Sequence, residues 1–197
     1  FAARLPAANL TPDELAGPGG LTALPPLTRR ALVEAGDALF CASLPPGHGA
    51  VGTNYTSGST GEPVVVRRTG LCQLHQSGCG LRFHLWHRHD FSGRSAMIRA
   101  RVTVEAVFPD WGAPAHLLFQ TGPLAALPAT RPVADLIRWL VGCSPNLVQV
   151  IPSRLAEIVA ELDRTGQRLP GLQVVRTLGE TVTPSLRAVV RRVLGLE

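Results

Sequence analysis

The chain has 197 residues, of which 45% are apolar, and this is enough to build a packed core rather than a disordered chain. Its net charge is +5, and every basic residue is arginine because lysine does not occur in the sequence. The arginines stand singly or in pairs, without the interleaved aromatic residues of a nucleic-acid-binding stripe, so we expect no nucleic-acid partner.

The cysteines and the hydropathy pattern bear on the compartment. No two cysteines form a C-x-x-C pair, so we expect free thiols in a reducing cytoplasm. The residues after Phe1 lack the apolar core of a signal peptide, and no apolar run reaches the roughly 18 residues that cross a bilayer. We therefore predict a cytoplasmic protein without a membrane partner.

Two short helical signals occur near the start of the chain. Thr11 can cap a helix and form a capping box with Glu14 three residues later. Thr28 can cap a second short helix. By their length these are connector helices, so we predict a connector over residues 1–50 and an α/β core over residues 51–197.

A run rich in glycine and hydroxyl groups follows, T-S-G-S-T-G-E-P over residues 56–63. It lies before the β-branched residues of a strand over 64–68, so it reads as a turn between two strands. Gly58 and Gly61 permit positive φ angles and a close approach of the backbone. Successive N–H groups and hydroxyls can converge on phosphate oxygens there. An anion cradle and an ordinary hairpin loop are both open interpretations.

Residues 70–88 have leucines at helical spacing and predict a helix that carries potential metal ligands. Cys72, His75 and Cys79 would share one face, and further histidines follow at 84, 87 and 89. Tetrahedral zinc sites begin with tighter pairs, and nothing obvious completes this one. We predict no metal site. A zinc-dependent hydrolase stays open as an alternative, and residues 87–90 could instead lie at the mouth of a site.

The middle of the chain predicts strands and a turn. Residues 95–102 alternate well enough for a strand, and residues 108–112 contain proline, aspartate and glycine typical of a turn. Residues 116–122 read as another strand that ends in a turn.

The last third is the most regular part of the chain. Three segments place apolar residues at helical spacing, beginning at Val133, Leu155 and Leu186. Between them lie short apolar runs over 147–151 and 172–176, suited to buried parallel strands. The alternation predicts an α/β fold with a mostly parallel sheet flanked by helices, whose ligands bind at the edge where the strands end.

The run over 56–63 resembles the phosphate loop of the adenylate-forming superfamily, which contains acyl- and aryl-CoA ligases and adenylation domains. It is close to the phenylacetate-CoA ligase-like branch. Residues 145–155 and Leu178-Gly179-Glu180, with Arg187 in the helix that follows, are similar to further motifs of this family. The resemblance covers about residues 5–197, which would be the middle part of a full enzyme and a fragment of its large N-terminal region.

The resemblance implies MgATP-dependent activation of a small carboxylic acid as an acyl-adenylate. The acyl group would then pass to a thiol of coenzyme A or of a phosphopantetheine-bearing acyl carrier protein. Three groups of residues take the family's binding roles. For the β- and γ-phosphates of ATP they are Thr56, Ser57, Gly58, Ser59, Thr60 and Gly61; for the nucleotide or adenylate Gly179, Glu180 and Thr181; for the acid pocket Trp111, His116, Phe119 and Thr121.

Two departures from the family pattern limit what this chain can do alone. The family's catalytic lysine lies in a C-terminal lid domain that this chain does not include, and no lysine is present, so the catalytic residues are unknown. Val64 stands where the family often has another lysine. We expect the fragment alone to be inactive. A non-catalytic adenylation-like module that binds a nucleotide or a partner protein is the alternative.

Overall fold

The structure, a computed structural model, describes residue 5, residues 8–56 and residues 63–196. The chain divides into two compact units, Phe1–Gln76 and Ser77–Glu197. The expected division at residue 50, between connector and core, stays a prediction. Among the described helices, none is long and apolar enough to cross a membrane.

The first unit begins with short helices, as the sequence predicts. They are α1 (Pro12–Ala16), α2 (Gly20–Ala23), α3 (Arg29–Ala35) and a 3-10 turn (Gly36–Leu39). The capping box of α1 is present, since the Thr11 hydroxyl accepts from the Glu14 N–H while the Glu14 carboxylate accepts from the Thr11 N–H. The Thr28 hydroxyl caps α3 by accepting from the Ala31 N–H at 3.2 Å.

An antiparallel hairpin follows, formed by β1 (Val51–Tyr55) and β2 (Val65–Thr69). At its end the Thr56 N–H donates to the Val64 carbonyl at 3.0 Å, and the Val64 N–H donates to the Thr56 hydroxyl at 3.0 Å. The two strands predicted on either side of this run are therefore confirmed. Residues 57–62, which contain most of the predicted phosphate loop, lie outside the described residues.

Helix α4 (Gly70–Trp86) confirms the helix predicted after this hairpin and includes the first residues of the second unit. It ends two residues before the predicted limit, and Arg88 just beyond it has a positive φ of 50°. Such an angle does not continue a right-handed helix.

The second unit is organised by a five-stranded sheet in the order β4-β5-β3-β6-β7. The strands are β3 (Ser95–Arg99), β4 (Ala106–Phe108), β5 (Leu124–Pro128), β6 (Leu147–Val150) and β7 (Val174–Thr177). Only β4 is antiparallel to its neighbour, and the other pairs run parallel. This confirms an α/β fold with a mostly parallel sheet.

Three helices cover one face of that sheet and form the core with it. They are α6 (Val133–Cys143), α7 (Pro152–Thr165) and α8 (Pro184–Leu194); a short helix, α5 (Ala115–Leu118), precedes them. Ile98 and Val150 of the sheet pack with Leu136 and Leu162 of the helices, all with at most 1% of their surface exposed. The three helical segments predicted from the apolar spacing are confirmed.

The prediction for residues 116–122 was wrong. The chain makes the helical turn α5 there, since the His116 N–H donates to the Gly112 carbonyl at 3.1 Å and the Phe119 N–H to the Ala115 carbonyl at 2.9 Å. The strand is β5, and five residues separate it from α5. Its sequence L-A-A-L-P has little intrinsic strand preference, and pairing with β3 and β4 decides its conformation.

We predict that Leu136→Ala will lower the free energy of unfolding by about 2–5 kcal/mol, because it leaves a cavity between α6 and the sheet. Leu136 is 0% exposed, whereas Leu117 of α5 is 68% exposed, so Leu117→Ala is the matched control and should stay within about 0.5 kcal/mol. Urea unfolding of both variants measures the difference. Equal losses in the two variants would contradict the assigned core.

Candidate functional site

Two loops of the second unit follow parallel strands at one edge of the sheet. After β6, Ile151 leads directly into α7, whose first residue is Pro152. After β7, the chain continues through Leu178 and Gly179 toward Thr183, which caps α8. Parallel strands end at the same edge, which is where open α/β folds bind ligands. The predicted nucleotide-binding residues thus belong to a loop of this edge.

Glu180 ties these two loops together. Its carboxylate accepts from the Ser153 N–H at 2.7 Å through Oε2 and from the Ser153 hydroxyl at 2.9 Å through Oε1. Pro152 has no N–H, and Ile151 provides no side-chain cap, so Ser153 carries the first N–H that this end of α7 can offer. A carboxylate is favoured there by the helix dipole. Glu180 therefore caps α7 from a loop 27 residues away.

Gly179 makes the turn that brings Glu180 to this position. Its φ is 87°, a conformation that residues with a Cβ rarely adopt. A Cβ placed here would come no closer than 4.0 Å, to Ile151 Cγ2, so the backbone angle and not the space requires glycine.

A cleft of about 450 Å³ opens beside this contact, between α7 and α8. Its polar rim carries Ser153, Glu180 and Thr181, and Ala156 and Leu186 are among its apolar walls. Two of the three predicted nucleotide residues thus line one cleft. An arrangement of this kind can hold a ligand with one polar end.

The four residues predicted for the acid pocket do not all share contacts. The Trp111 N–H donates to the Thr121 hydroxyl at 2.9 Å. Phe119 stacks on Phe91 with ring centroids 4.5 Å apart, and Phe91 in turn lies 5.5 Å from Trp111. Trp111 and Phe119 therefore belong to one aromatic cluster with Phe91, and Thr121 is hydrogen-bonded to it. His116 instead pairs through Nδ1 with the Asp110 carboxylate at 3.0 Å.

Phe91 and Gly122 are site residues that the sequence alone did not indicate. The Gly122 N–H donates to the Phe91 carbonyl at 2.8 Å, and a Cβ on Gly122 would lie 2.4 Å from the Gly93 carbonyl oxygen. This close approach holds the segment after Phe119 against the chain ahead of β3. The glycine of the Thr121-Gly122 pair was the available signal, since glycine marks close backbone contact.

Thr56 is the one residue of the predicted phosphate loop that is described. Its N–H is used by the Val64 carbonyl, and its hydroxyl oxygen accepts from the Val64 N–H. Neither of these bonds uses the hydroxyl proton of Thr56, which can be donated to a phosphate oxygen. Thr56 thus closes the base of the loop.

The cysteines and histidines show no metal centre within the part of the chain that the structure describes, where no three potential ligands converge. All four cysteines are free thiols. Hydrogen bonding with Thr69 lowers the pKa of the exposed Cys72 thiol, whereas burial raises the pKa of Cys143 to about 11. The His84 ring lies beside the aromatic cluster, with its centroid 5.5 Å from that of Trp111.

Comparisons with known proteins bear on the fold. No protein-family model and no curated protein matches the chain. Among solved structures, an open conformation of 2-hydroxyisobutyryl-CoA ligase in complex with 2-HIB-AMP and CoA superimposes over 100% of this chain and 47% of its own, with a TM-score of 0.70 and 18% sequence identity. The same ligase in the postadenylation state with 2-HIB-AMP gives a TM-score of 0.71, 17% identity and coverage of 100% and 42%.

This chain therefore spans less than half the length of these ligases. At such identity the likeness is one of fold, and it agrees with the resemblance of the motifs over 56–63, 145–155 and 178–180. The chain has the fold of the corresponding part of 2-hydroxyisobutyryl-CoA ligase, an adenylate-forming acyl-CoA ligase.

Proposed function

We propose that the protein to which this chain belongs is an adenylate-forming acid–thiol ligase of the phenylacetate-CoA ligase-like branch. The observation that supports this most directly is the likeness of fold along the entire chain to a ligase whose structures contain 2-HIB-AMP and CoA. The T-S-G-S-T-G-E-P run adds support that does not depend on the superposition.

In the proposed reaction a carboxylate oxygen of the substrate attacks the α-phosphorus of ATP, and pyrophosphate leaves with Mg²⁺. The thiol sulfur of coenzyme A or of a carrier protein then attacks the acyl carbonyl, loses its proton, and displaces AMP. Both steps depend on positioning the reactants and on stabilising negative charge at phosphorus. The four free thiols of the chain suit a reducing cytoplasm.

The residues Thr56 to Gly61 would hold the β- and γ-phosphates through backbone N–H groups and hydroxyls. The Thr56 N–H is bound to the Val64 carbonyl, so we propose that Thr56 joins the two ends of the loop and does not donate this N–H to a phosphate. The Ser and Thr hydroxyls that follow would provide the direct phosphate contacts.

Gly179, Glu180 and Thr181 would lie against the nucleotide or the adenylate. Because the Glu180 carboxylate is already bound by Ser153, we propose that it acts as a positioning residue. It would fix the loop so that the Gly179 backbone and the Thr181 hydroxyl meet the ligand. Trp111, Phe119 and Thr121 would line the acid pocket, with His116 held by Asp110 at its border.

The experiment that tests the proposed function is ATP–pyrophosphate exchange by the full-length protein against a panel of carboxylic acids, with this chain assayed alongside. We expect one acid class to stimulate exchange in the full-length protein only, because the chain has no lysine to serve the reaction. ATP binding without exchange for any acid would contradict the ligase and favour a non-catalytic nucleotide-binding module.

We predict that Thr60→Val with Gly61→Ala in the full-length protein will reduce acid-dependent pyrophosphate release by orders of magnitude. The change removes a hydroxyl and replaces a glycine, the residue type that tolerates positive φ, in the predicted phosphate loop. The matched control is Thr103→Val with Gly142→Ala, since Thr103 is exposed and a Cβ at Gly142 meets no atom within 4 Å. Unchanged release in the loop variant would refute the assignment.

We predict that Ser153 and Glu180 are energetically coupled. Glu180→Ala should destabilise the chain by about 0.5–2 kcal/mol, as the loss of a helix cap does. Ser153→Ala removes only the hydroxyl bond and should cost about 0.5–1.5 kcal/mol. Their double-mutant cycle in urea unfolding should give a coupling of about 0.5–3 kcal/mol. Ser153→Thr keeps the hydroxyl and is the control, for which we expect a smaller loss. Strictly additive effects would show that the bond between the Ser153 hydroxyl and Glu180 does not contribute.

A further inference from the structure

Arg176 lies on the face of the sheet opposite the apolar core. Strand register aligns it with Gln149 on β6. Its guanidinium carbon lies 4.4 Å from the centroid of the Phe83 ring. Burial lowers the pKa of the Arg176 guanidinium, and so does the nearby positive charge of Arg99. This face therefore holds two guanidinium groups that are partly withdrawn from water.

No acidic side chain described in the second unit binds Arg99 or Arg176. Each of these acidic side chains is bound to another residue. The pairs are Asp90 with Ser92, Glu105 with Arg131, Asp110 with His116, Asp135 with Arg138, Glu157 with Arg154, Glu161 with Arg164, Asp163 with Arg192 and Glu180 with Ser153. A partly buried cation costs free energy unless an anion pairs with it. Among the described residues of the second unit, Arg176 thus has no acidic partner.

A chain of hydrogen bonds runs from Arg176 through His84 to His89. The Arg176 Nη1 group lies 3.4 Å from His84 Nε2, and because arginine can only donate, His84 accepts there. The His84 proton then lies on Nδ1 and is donated to His89 Nδ1 at 2.9 Å. His89 consequently carries its own proton on Nε2, where it can donate to a further acceptor.

A pocket of about 310 Å³ lies beside these donors. His87, His89, Gln173 and Arg176 give it polar walls, and Phe83 is among its apolar ones. It shares no lining residue with the cleft beside Glu180. Its size and its donors, without a nearby carboxylate among the described residues, suit a small anion.

We propose that this pocket, which we call the Arg176 pocket, binds a small oxyanion, a carboxylate or a phosphate group, through the Arg176 guanidinium and the imidazole N–H of His89. The inference does not rest on the proposed ligase function. It gives a binding role to a guanidinium group that no described acidic side chain of the second unit pairs with.

The protonation of His84 and His89 should make anion binding at this site depend on pH. Burial is the largest cause that lowers the pKa of His84, to about 4, followed by the charges of His89 and Arg176. Burial also lowers the pKa of His89, together with His87 and Arg176. Both rings are therefore neutral at pH 7, with Arg99 adding further positive charge nearby. A bound anion raises the pKa of these imidazoles, so binding takes up protons and must strengthen as the pH falls.

The test is a titration of the 197-residue chain with sulfate, whose charge is constant over the range used, followed by the imidazole NMR signals of His84 and His89. We expect saturable shifts at one site and an affinity about tenfold higher at pH 5.5 than at pH 7.5. Sodium chloride at matched ionic strength is the control and should not reproduce the shifts. Inorganic phosphate and acetate, compared at pH 7.5, then distinguish a phosphate from a carboxylate ligand.

Arg176→Gln should abolish saturation, whereas Arg187→Gln, at an exposed position of α8, should retain it. His89→Gln should weaken binding and reduce its pH dependence, and it decides the question if Arg176→Gln fails to fold. Binding that survives both pocket variants, or equal shifts with chloride, would overturn the proposal. So would movement of the His84 and His89 signals by Glu197→Gln without added anion, since the counter-charge would then come from the chain itself.

Discussion

The parallel pairing of β3, β5, β6 and β7 is the constraint on which the second unit depends. Parallel neighbours cannot be joined by a tight turn, so the chain must cross over the sheet between them. The crossovers from β5 to β6 and from β6 to β7 are the amphipathic helices α6 and α7, which bury one face of the sheet together with α8. Because the strands run the same way, the loops after β6 and β7 emerge at one edge, where polar groups from distant parts of the sequence meet.

At that edge a helix-capping interaction serves to join two loops. Pro152 begins α7 without an N–H to offer, which leaves the Ser153 N–H as the first that needs an acceptor. Glu180 accepts from it through Oε2 and from the Ser153 hydroxyl through Oε1, and the positive φ of Gly179 makes this geometry possible. A carboxylate that looks like a ligand contact in the sequence is therefore also a structural element of the site.

The opposite face of the sheet has a different character. Sheets built from parallel strands usually bury apolar residues on both faces, but this face carries Gln149 and the guanidinium groups of Arg99 and Arg176. The Gln149 side-chain oxygen accepts from Arg99 at 2.8 Å and so uses one of these donors. His84 and His89, whose pKa values are lowered by burial, stand nearby. The positive charges of Arg99 and Arg176 on this face are the reason why we infer an anion pocket there.

Local patterns in the sequence were sufficient for the capped helices, the hairpin around residues 56–63, the three amphipathic helices and the strands β6 and β7. They failed at β5, whose alanine-rich sequence becomes a strand only through its neighbours, and at α5. They identified Glu180 but not its bond to Ser153, and the histidines but not the approach of Arg176 to His84 across 92 residues. Periodicity and capping are properties of adjacent residues and can be read from them. Contacts between distant residues depend on strand order and on the face each side chain occupies, and only the tertiary structure decides these.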